Sequence, residues 1–153
     1  MGCLPHGNRV ALTGKWHIVA QPVKPLKTKG RHILVIDDES AVAKAIIMML
    51  KFEGHIAEAA ASGEAALAML EQHNYDLIIT DYSMPGIKGD QLASLMRESR
   101  PNLPIIMVTA SAEDFMAGGR PTVNVDVVIG KPFSLNSLRE AIGLASADRI
   151  VAK

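Results

Sequence analysis

From Arg31 onward, short uninterrupted apolar runs alternate with longer stretches whose apolar residues recur every three or four positions. Ile33-Leu34-Val35-Ile36 is the first run, and it ends in acids. Val42, Ala45, Ile46, Met49 and Leu50 follow at helical spacing, with Ser40 placed to cap. Residues 55–59 form a weaker strand candidate before a turn at Ser62-Gly63, and Ala66, Met69 and Leu70 mark a second helix. Leu77-Ile78-Ile79-Thr80 predicts a buried strand, followed by a loop containing Pro85, Gly86 and Gly89. Leu92, Leu95 and Met96 give a third helix that ends before Pro101, and Ile105-Ile106-Met107-Val108 a fourth strand. A short helix is expected near residues 113–117 and a fifth strand over 125–129. Leu135, Leu138, Ala141, Ile142 and Ala145 share one face of a final helix.

Strands that are apolar throughout, alternating with amphipathic helices, predict a parallel sheet covered on both faces. Right-handed crossovers make a doubly wound, five-stranded α/β domain over residues 31–153 the simplest closure. Residues 1–30 carry Pro5, Gly7, Gly14, Pro22, Pro25 and Gly30 without a sustained period. They read as a basic, disordered extension, with one short apolar stretch at residues 16–19.

Charge sharpens that division. Residues 1–30 hold five Lys/Arg and no acid, while residues 31–153 hold eleven Lys/Arg against sixteen Asp/Glu. The acidic body is a poor match for a phosphate backbone, so nucleic-acid binding by the domain is not expected. The single cysteine, Cys3, excludes an intrachain disulfide and agrees with a reducing cytoplasm. No apolar run reaches the length of a membrane span, and no signal-peptide core opens the chain.

In a sheet of this kind ligands bind beyond the carboxyl ends of the strands. Four strands deliver polar groups there: Asp37 and Asp38 after the first, Asp81 after the third, Thr109 after the fourth and Lys131 after the fifth. Taken singly each has an ordinary explanation. The acids suit a helix N-terminus, Asp81 a turn, Thr109 a strand interior and Lys131 a solvated loop. Together they read differently. Crowded carboxylates repel one another and call for a cation, and a hard ion such as Mg²⁺ suits oxygen ligands. A lysine and a hydroxyl nearby are what a bound phosphoryl group needs.

Four segments in this order resemble the receiver domains of bacterial two-component response regulators, over roughly residues 31–148. They are Ile33-Leu-Val-Ile-Asp-Asp-Glu-Ser40, Asp76-Leu-Ile-Ile-Thr-Asp-Tyr-Ser-Met-Pro-Gly86 with Gly89, Pro104-Ile-Ile-Met-Val-Thr-Ala110, and Lys131-Pro-Phe133. The resemblance implies a flavodoxin-like (βα)5 fold with strand order 2-1-3-4-5. It implies that Asp81 is the phosphoacceptor, served by a histidine kinase or a histidine phosphotransfer protein. Asp37, Asp38, Asp81 and the backbone carbonyl of Ser83 would hold Mg²⁺, and Lys131 would neutralise phosphoryl charge. Thr109 would donate its hydroxyl after transfer, with small Ala110 leaving room for that movement, and Lys131-Pro132 would be a cis peptide. Ser83 and Ser111 occupy the flanking positions that influence the lifetime of the phosphoryl group.

The chain departs from the family at Val128, where an aromatic switch residue is usual, and at Gly118-Gly-Arg-Pro121, which interrupts the usual fourth helix. Readout is therefore expected from residues 109–111 and 118–121 instead. The expected role is a stand-alone phosphorylation-controlled binding module or relay element. Two alternatives are an aspartyl-phosphate phosphohydrolase, which Ser83 disfavours because it stands where a second acid is needed, and a pseudo-receiver that only binds. The five histidines lack metal-ligand spacing and are expected in surface or edge positions, and Met48, Met49, Met69 and Met96 are expected in the core.

Overall fold

A computed structural model describes residues 9–12, 15–18, 30–111 and 124–151, with side chains over 30–111 and 124–146. The elements in chain order are β1 (Arg9–Leu12), β2 (Lys15–Ile18), β3 (His32–Ile36), α1 (Ser40–Phe52), β4 (Ile56–Ala60), α2 (Gly63–Gln72), β5 (Leu77–Asp81), α3 (Gly89–Ser99), β6 (Ile105–Thr109), β7 (Val127–Gly130) and α4 (Leu135–Val151). The helix expected near residues 113–117 and the stretch 118–121 lie outside the described residues. No helix among the described residues is long and apolar enough to cross a membrane.

Five parallel strands lie in the order β4-β3-β5-β6-β7, which is the 2-1-3-4-5 order of the doubly wound fold. The register runs from His32↔Ile56 through Ile36↔Ala60 on one side of β3 and from Ile33↔Leu77 through Ile36↔Thr80 on the other. Because successive strand residues face opposite ways, each all-apolar run feeds two cores. Leu34, Ile36, Ile78, Met107 and Val128 pack with Ala66 and Leu70 of α2 and with Leu92 and Met96 of α3. Ile33, Val35, Ile79, Val108 and Ile129 pack with Ile46 and Leu50 of α1 and with Leu138 and Ile142 of α4. Ile33, Leu34, Leu77, Ile78 and Ile106 are wholly buried, so truncating any one to Ala costs about 2–5 kcal/mol.

The structure departs from the sequence reading at residues 1–30. Arg9–Leu12 and Lys15–Ile18 pair as an antiparallel hairpin, and the first of these strands pairs with β7. Local pattern did not show this because the pairing that holds the hairpin lies more than a hundred residues away in sequence. Ser40 opens α1 instead of capping it. The N-cap is Glu39, whose side chain makes no cap bond, and Asp37 Oδ1 accepts from the Glu39 backbone N–H at 2.9 Å. Met48 is 71% exposed, unlike buried Met96, so only part of the methionine expectation holds.

Ends and corners are fixed by particular groups. Ser62 Oγ accepts from Ala65 N at 3.1 Å and caps α2. At the end of α1, Gly54 takes φ 88°, while its N–H reaches Lys51 O and that of His55 reaches Leu50 O. Arg97 of α3 donates to the carbonyls of Leu103 and Asn124 and to Asp126 Oδ2, fixing the lower ends of β6 and β7. Arg139 of α4 pairs with Glu53 at the end of α1. A strict positional requirement is at Gly89. A Cβ there would stand 2.5 Å from the Asp81 carbonyl oxygen and 2.9 Å from Tyr82 Cα, so only glycine lets α3 begin against the end of β5.

Two expectations follow. Gly89→Ala must push α3 from the end of β5, lowering stability by about 1–3 kcal/mol in denaturant titration. It should also perturb the amide shifts of Asp81 and Tyr82 more than those of β3. His55, expected at the surface or an edge, is instead buried, and its Nδ1 accepts from Arg31 N at 3.1 Å. Burial, helped by the charge of Arg31 and opposed by Glu53, lowers its pKa below the ordinary 6.5. The unfolded chain therefore binds the proton first, and stability falls as pH drops below 6.5 toward the folded pKa. His55→Phe should flatten that slope in thermal melts while losing about 1–3 kcal/mol for the orphaned Arg31 N–H.

Candidate functional site

The carboxyl ends of β3, β5, β6 and β7 converge on one edge of the sheet. Asp37 follows β3 and is buried, its own N–H bonding Ala60 O at 3.1 Å. Asp38, next in the chain, is exposed. Asp81 is the last residue of β5 and is 7% exposed. Each of the three offers a carboxylate oxygen, and these oxygens all lie within 4.8 Å of one another. At an effective dielectric of about 20, two unit charges at that distance repel by about 3 kcal/mol, so the buried Asp37/Asp81 pair needs compensation.

Lys131 supplies part of it. Its Nζ stands 3.1 Å from Asp81 Oδ1 and 3.6 Å from Asp37 Oδ2. The Lys131-Pro132 peptide is cis, and the Lys131 backbone N–H donates to Thr109 O at 2.8 Å. Burial pushes the Asp81 pKa up, the bond and charge of Lys131 oppose this, and Asp37 and Asp38 add to the rise; the net direction is upward. Burial also works against the Lys131 ammonium, but its bond to Asp81 and the charges of Asp81, Asp37 and Glu39 outweigh that, so its pKa is raised. With all groups ionised, three carboxylates and one ammonium leave two negative charges. A hard divalent cation with oxygen ligands fits this donor set in both charge and chemistry.

Thr109 ends β6, is buried, and accepts from Ser111 N at 3.3 Å. Its register partner is Gly130, so its hydroxyl belongs to the same strand-end row as Lys131. Ala110 and Ser111 are exposed beyond it, as is Ser83 beyond Asp81. Val128 is buried among the residues facing α2 and α3, not at the strand-end row. The structure thus brings together Asp37, Asp38, Asp81 and Lys131, sets Thr109 on the adjoining strand end, and leaves Val128 in the core.

Two features were missed in the sequence. In the sequence Gly89 stands only as one residue of a motif, and its close approach to the Asp81 backbone becomes visible once α3 is packed. An apolar groove lined by Ala41, Val42, Ala45, Met49, Pro132 and Phe133 also opens beside Lys131. Small residues at the exposed start of α1 were its only signal.

Comparison with known proteins agrees with this geometry. The model of the response regulator receiver domain matches residues 33–143. Among curated proteins, the transcriptional regulatory protein ResD of Bacillus subtilis is 36% identical over 108 residues, covering 71% of this chain and 45% of that protein. The virulence sensor protein BvgS of Bordetella bronchiseptica is 33% identical over 135 residues, covering 84% of this chain and 11% of that protein. The chain therefore spans less than half the length of these two relatives. Among solved structures, response regulator TrrA of Thermotoga maritima in complex with Mg²⁺-BeF superposes with a TM-score of 0.66 at 31% identity, covering 75% of this chain and 98% of that one. A CheY-like receiver from Methanospirillum hungatei gives 0.72 at 27% identity, covering 82% and 100%. By its sequence, its strand order and the acids gathered at its sheet edge, the chain belongs to the response regulator receiver domain family.

Proposed function

We propose that this domain receives a phosphoryl group on Asp81 from a phosphohistidine of a sensor kinase or a histidine phosphotransfer protein, and that the modification changes which protein it binds. The observation that carries this reading is the buried carboxylate of Asp81, with Lys131 Nζ at 3.1 Å and two further acids within 4.8 Å. In the transfer an Asp81 carboxylate oxygen attacks phosphorus, the P–N bond to the donor imidazole breaks, and its electron pair returns to the ring. Asp37, Asp38, Asp81 and the Ser83 carbonyl would hold Mg²⁺, whose chemistry is to neutralise the phosphoryl oxygens. Lys131 supplies a second positive charge at the same place. Thr109, at the neighbouring strand end, would donate its hydroxyl to the transferred group, and Ala110 leaves the loop space to close. Slow loss of the group to water is the only further turnover the reading assigns.

The groove beside Lys131 suits a helical donor, since its apolar walls lie next to the acceptor. The relatives include a transcriptional regulatory protein and a virulence sensor protein, so similar segments occur in proteins of both kinds. A cytoplasmic location, with no nucleic-acid contact by the domain itself, belongs to the same reading.

With Mg²⁺ and a small-molecule phosphodonor, mass spectrometry should show one phosphoryl group per chain, mapped to Asp81. Asp81→Asn should abolish it, and Asp38→Asn should lower both the rate and the Mg²⁺ dependence by at least about tenfold. Stoichiometric labelling of Asp81→Asn would refute the assignment. Because the Asp81 pKa is raised and the ion needs the carboxylate, Mg²⁺ affinity should fall on acidification already above the ordinary pKa of 3.8. Calorimetric titration at several pH values checks this, and an affinity independent of pH down to that value would contradict it.

A further inference from the structure

β7 has two neighbours. On its inner side β6 pairs with it from Ile106↔Val127 to Thr109↔Gly130. On its outer side β1 pairs antiparallel, with Val10↔Ile129, Ala11↔Val128 and Leu12↔Val127, and β2 then pairs with β1. Without the hairpin, β7 would be the free edge of the sheet, a row of unpaired N–H and C=O groups that another strand can use. The hairpin satisfies that row and moves the edge out to Lys15–Ile18, a short strand bearing a lysine, which disfavours further pairing.

β7 is also the strand that runs into the acceptor site. The residue after Gly130 is Lys131, which is tied by its backbone to Thr109 and by its Nζ to Asp81 and Asp37. One short strand therefore carries the phosphoryl-binding lysine at its end and the hairpin along its outer side. Val128, where receivers usually carry an aromatic switch, is the register partner of Ala11 in the hairpin.

We propose that the hairpin is a tethered strand ligand of β7 whose hold weakens when Asp81 is phosphorylated, uncovering the edge of β7. The proposal rests on Asp81 being the phosphoacceptor. When Lys131 transfers its contacts from the Asp81 carboxylate to phosphoryl oxygens, the end of β7 must shift with it. Among the described residues, β6 grips β7 over Val127–Gly130 and again through the Lys131 N–H, whereas β1 grips it from Val127 to Ile129. The weaker ladder is the one that yields. From Ile18 to His32 the chain can reach about 45 Å, against roughly 24 Å across the five strand spacings between β2 and β3. The hairpin can thus leave and return without strain in its tether, at the high effective concentration of an intramolecular ligand.

Hydrogen exchange of the full chain in Mg²⁺, with and without beryllofluoride, tests the coupling. Amides of residues 10–12 and 127–129 should lose protection about tenfold on adding beryllofluoride, a usual size for such coupling, while β3 and β5 keep theirs. The double variant Val10→Pro/Ala11→Pro, whose two N–H groups point to opposite sides of β1, breaks the ladder to β7 whichever residue serves it and should expose 127–129 without beryllofluoride. By reciprocity it should also bind beryllofluoride more tightly by the same factor. If residues 81–83 and 109–111 register beryllofluoride while 10–12 stay equally protected, the coupling is wrong and the phosphoacceptor reading stands. Continued protection of 127–129 in Val10→Pro/Ala11→Pro would equally overturn it. If no residue responds to beryllofluoride, the phosphoacceptor reading fails and the coupling falls with it.

Discussion

Three carboxylates and one ammonium, held together at the end of a nearly solvent-free sheet, set the terms for the rest of the structure. Left free, side chains of like charge would swing apart. Here Asp37 and Asp81 cannot, because each is rooted in a strand buried on both faces. The parallel register brings those strand ends level, and the two cores prevent them from sliding. Hydrophobic burial thus supplies the force that holds an electrostatically unfavourable arrangement, and that burial, with Asp37 and Asp38 adding to it, raises the pKa of Asp81. A divalent cation with oxygen ligands is the kind of ligand that relieves the repulsion.

The supporting contacts have the same purpose. Gly89 lets α3 abut the backbone of Asp81, so the carbonyl of Asp81 has no freedom to retreat. Asp37 uses one carboxylate oxygen to accept the Glu39 N–H, and its other oxygen faces Lys131. At the opposite end of the sheet Arg97 binds carbonyls and a carboxylate around the starts of β6 and β7.

How much of this was legible beforehand depended on range. All five parallel strands and the four described helices could be read from local apolar pattern, because burial on both faces leaves a dense, uninterrupted signal. The candidate site residues could be placed on one sheet edge because each lies at or just beyond the end of such a run, while their roles came from the family resemblance. What escaped was set by tertiary partners. The hairpin at residues 9–18 has no strong alternation and exists by pairing with β7. His55 looked like a solvent-side histidine until Arg31 was placed against it. Met48 and Met49 are adjacent on one helix, yet one is mostly exposed and the other half-buried, a distinction of orientation that composition does not carry.

The replacement at Val128 and the hairpin bear on one another. A rotating ring reads the site by exchanging a buried position for an exposed one. Val128 is 2% exposed, has a single stiff torsion and packs toward α2 and α3, so it offers no second position to occupy. A switch nevertheless requires contacts that differ between its two states. On β7 the side chains are committed to the two cores, and the groups left over are the backbone donors and acceptors along the outer edge. In this chain those groups are paired, and the pairing is with a segment short enough to let go. Val128 and the hairpin therefore concern the same strand: β7 carries no ring to move, and its outer backbone edge is paired with β1.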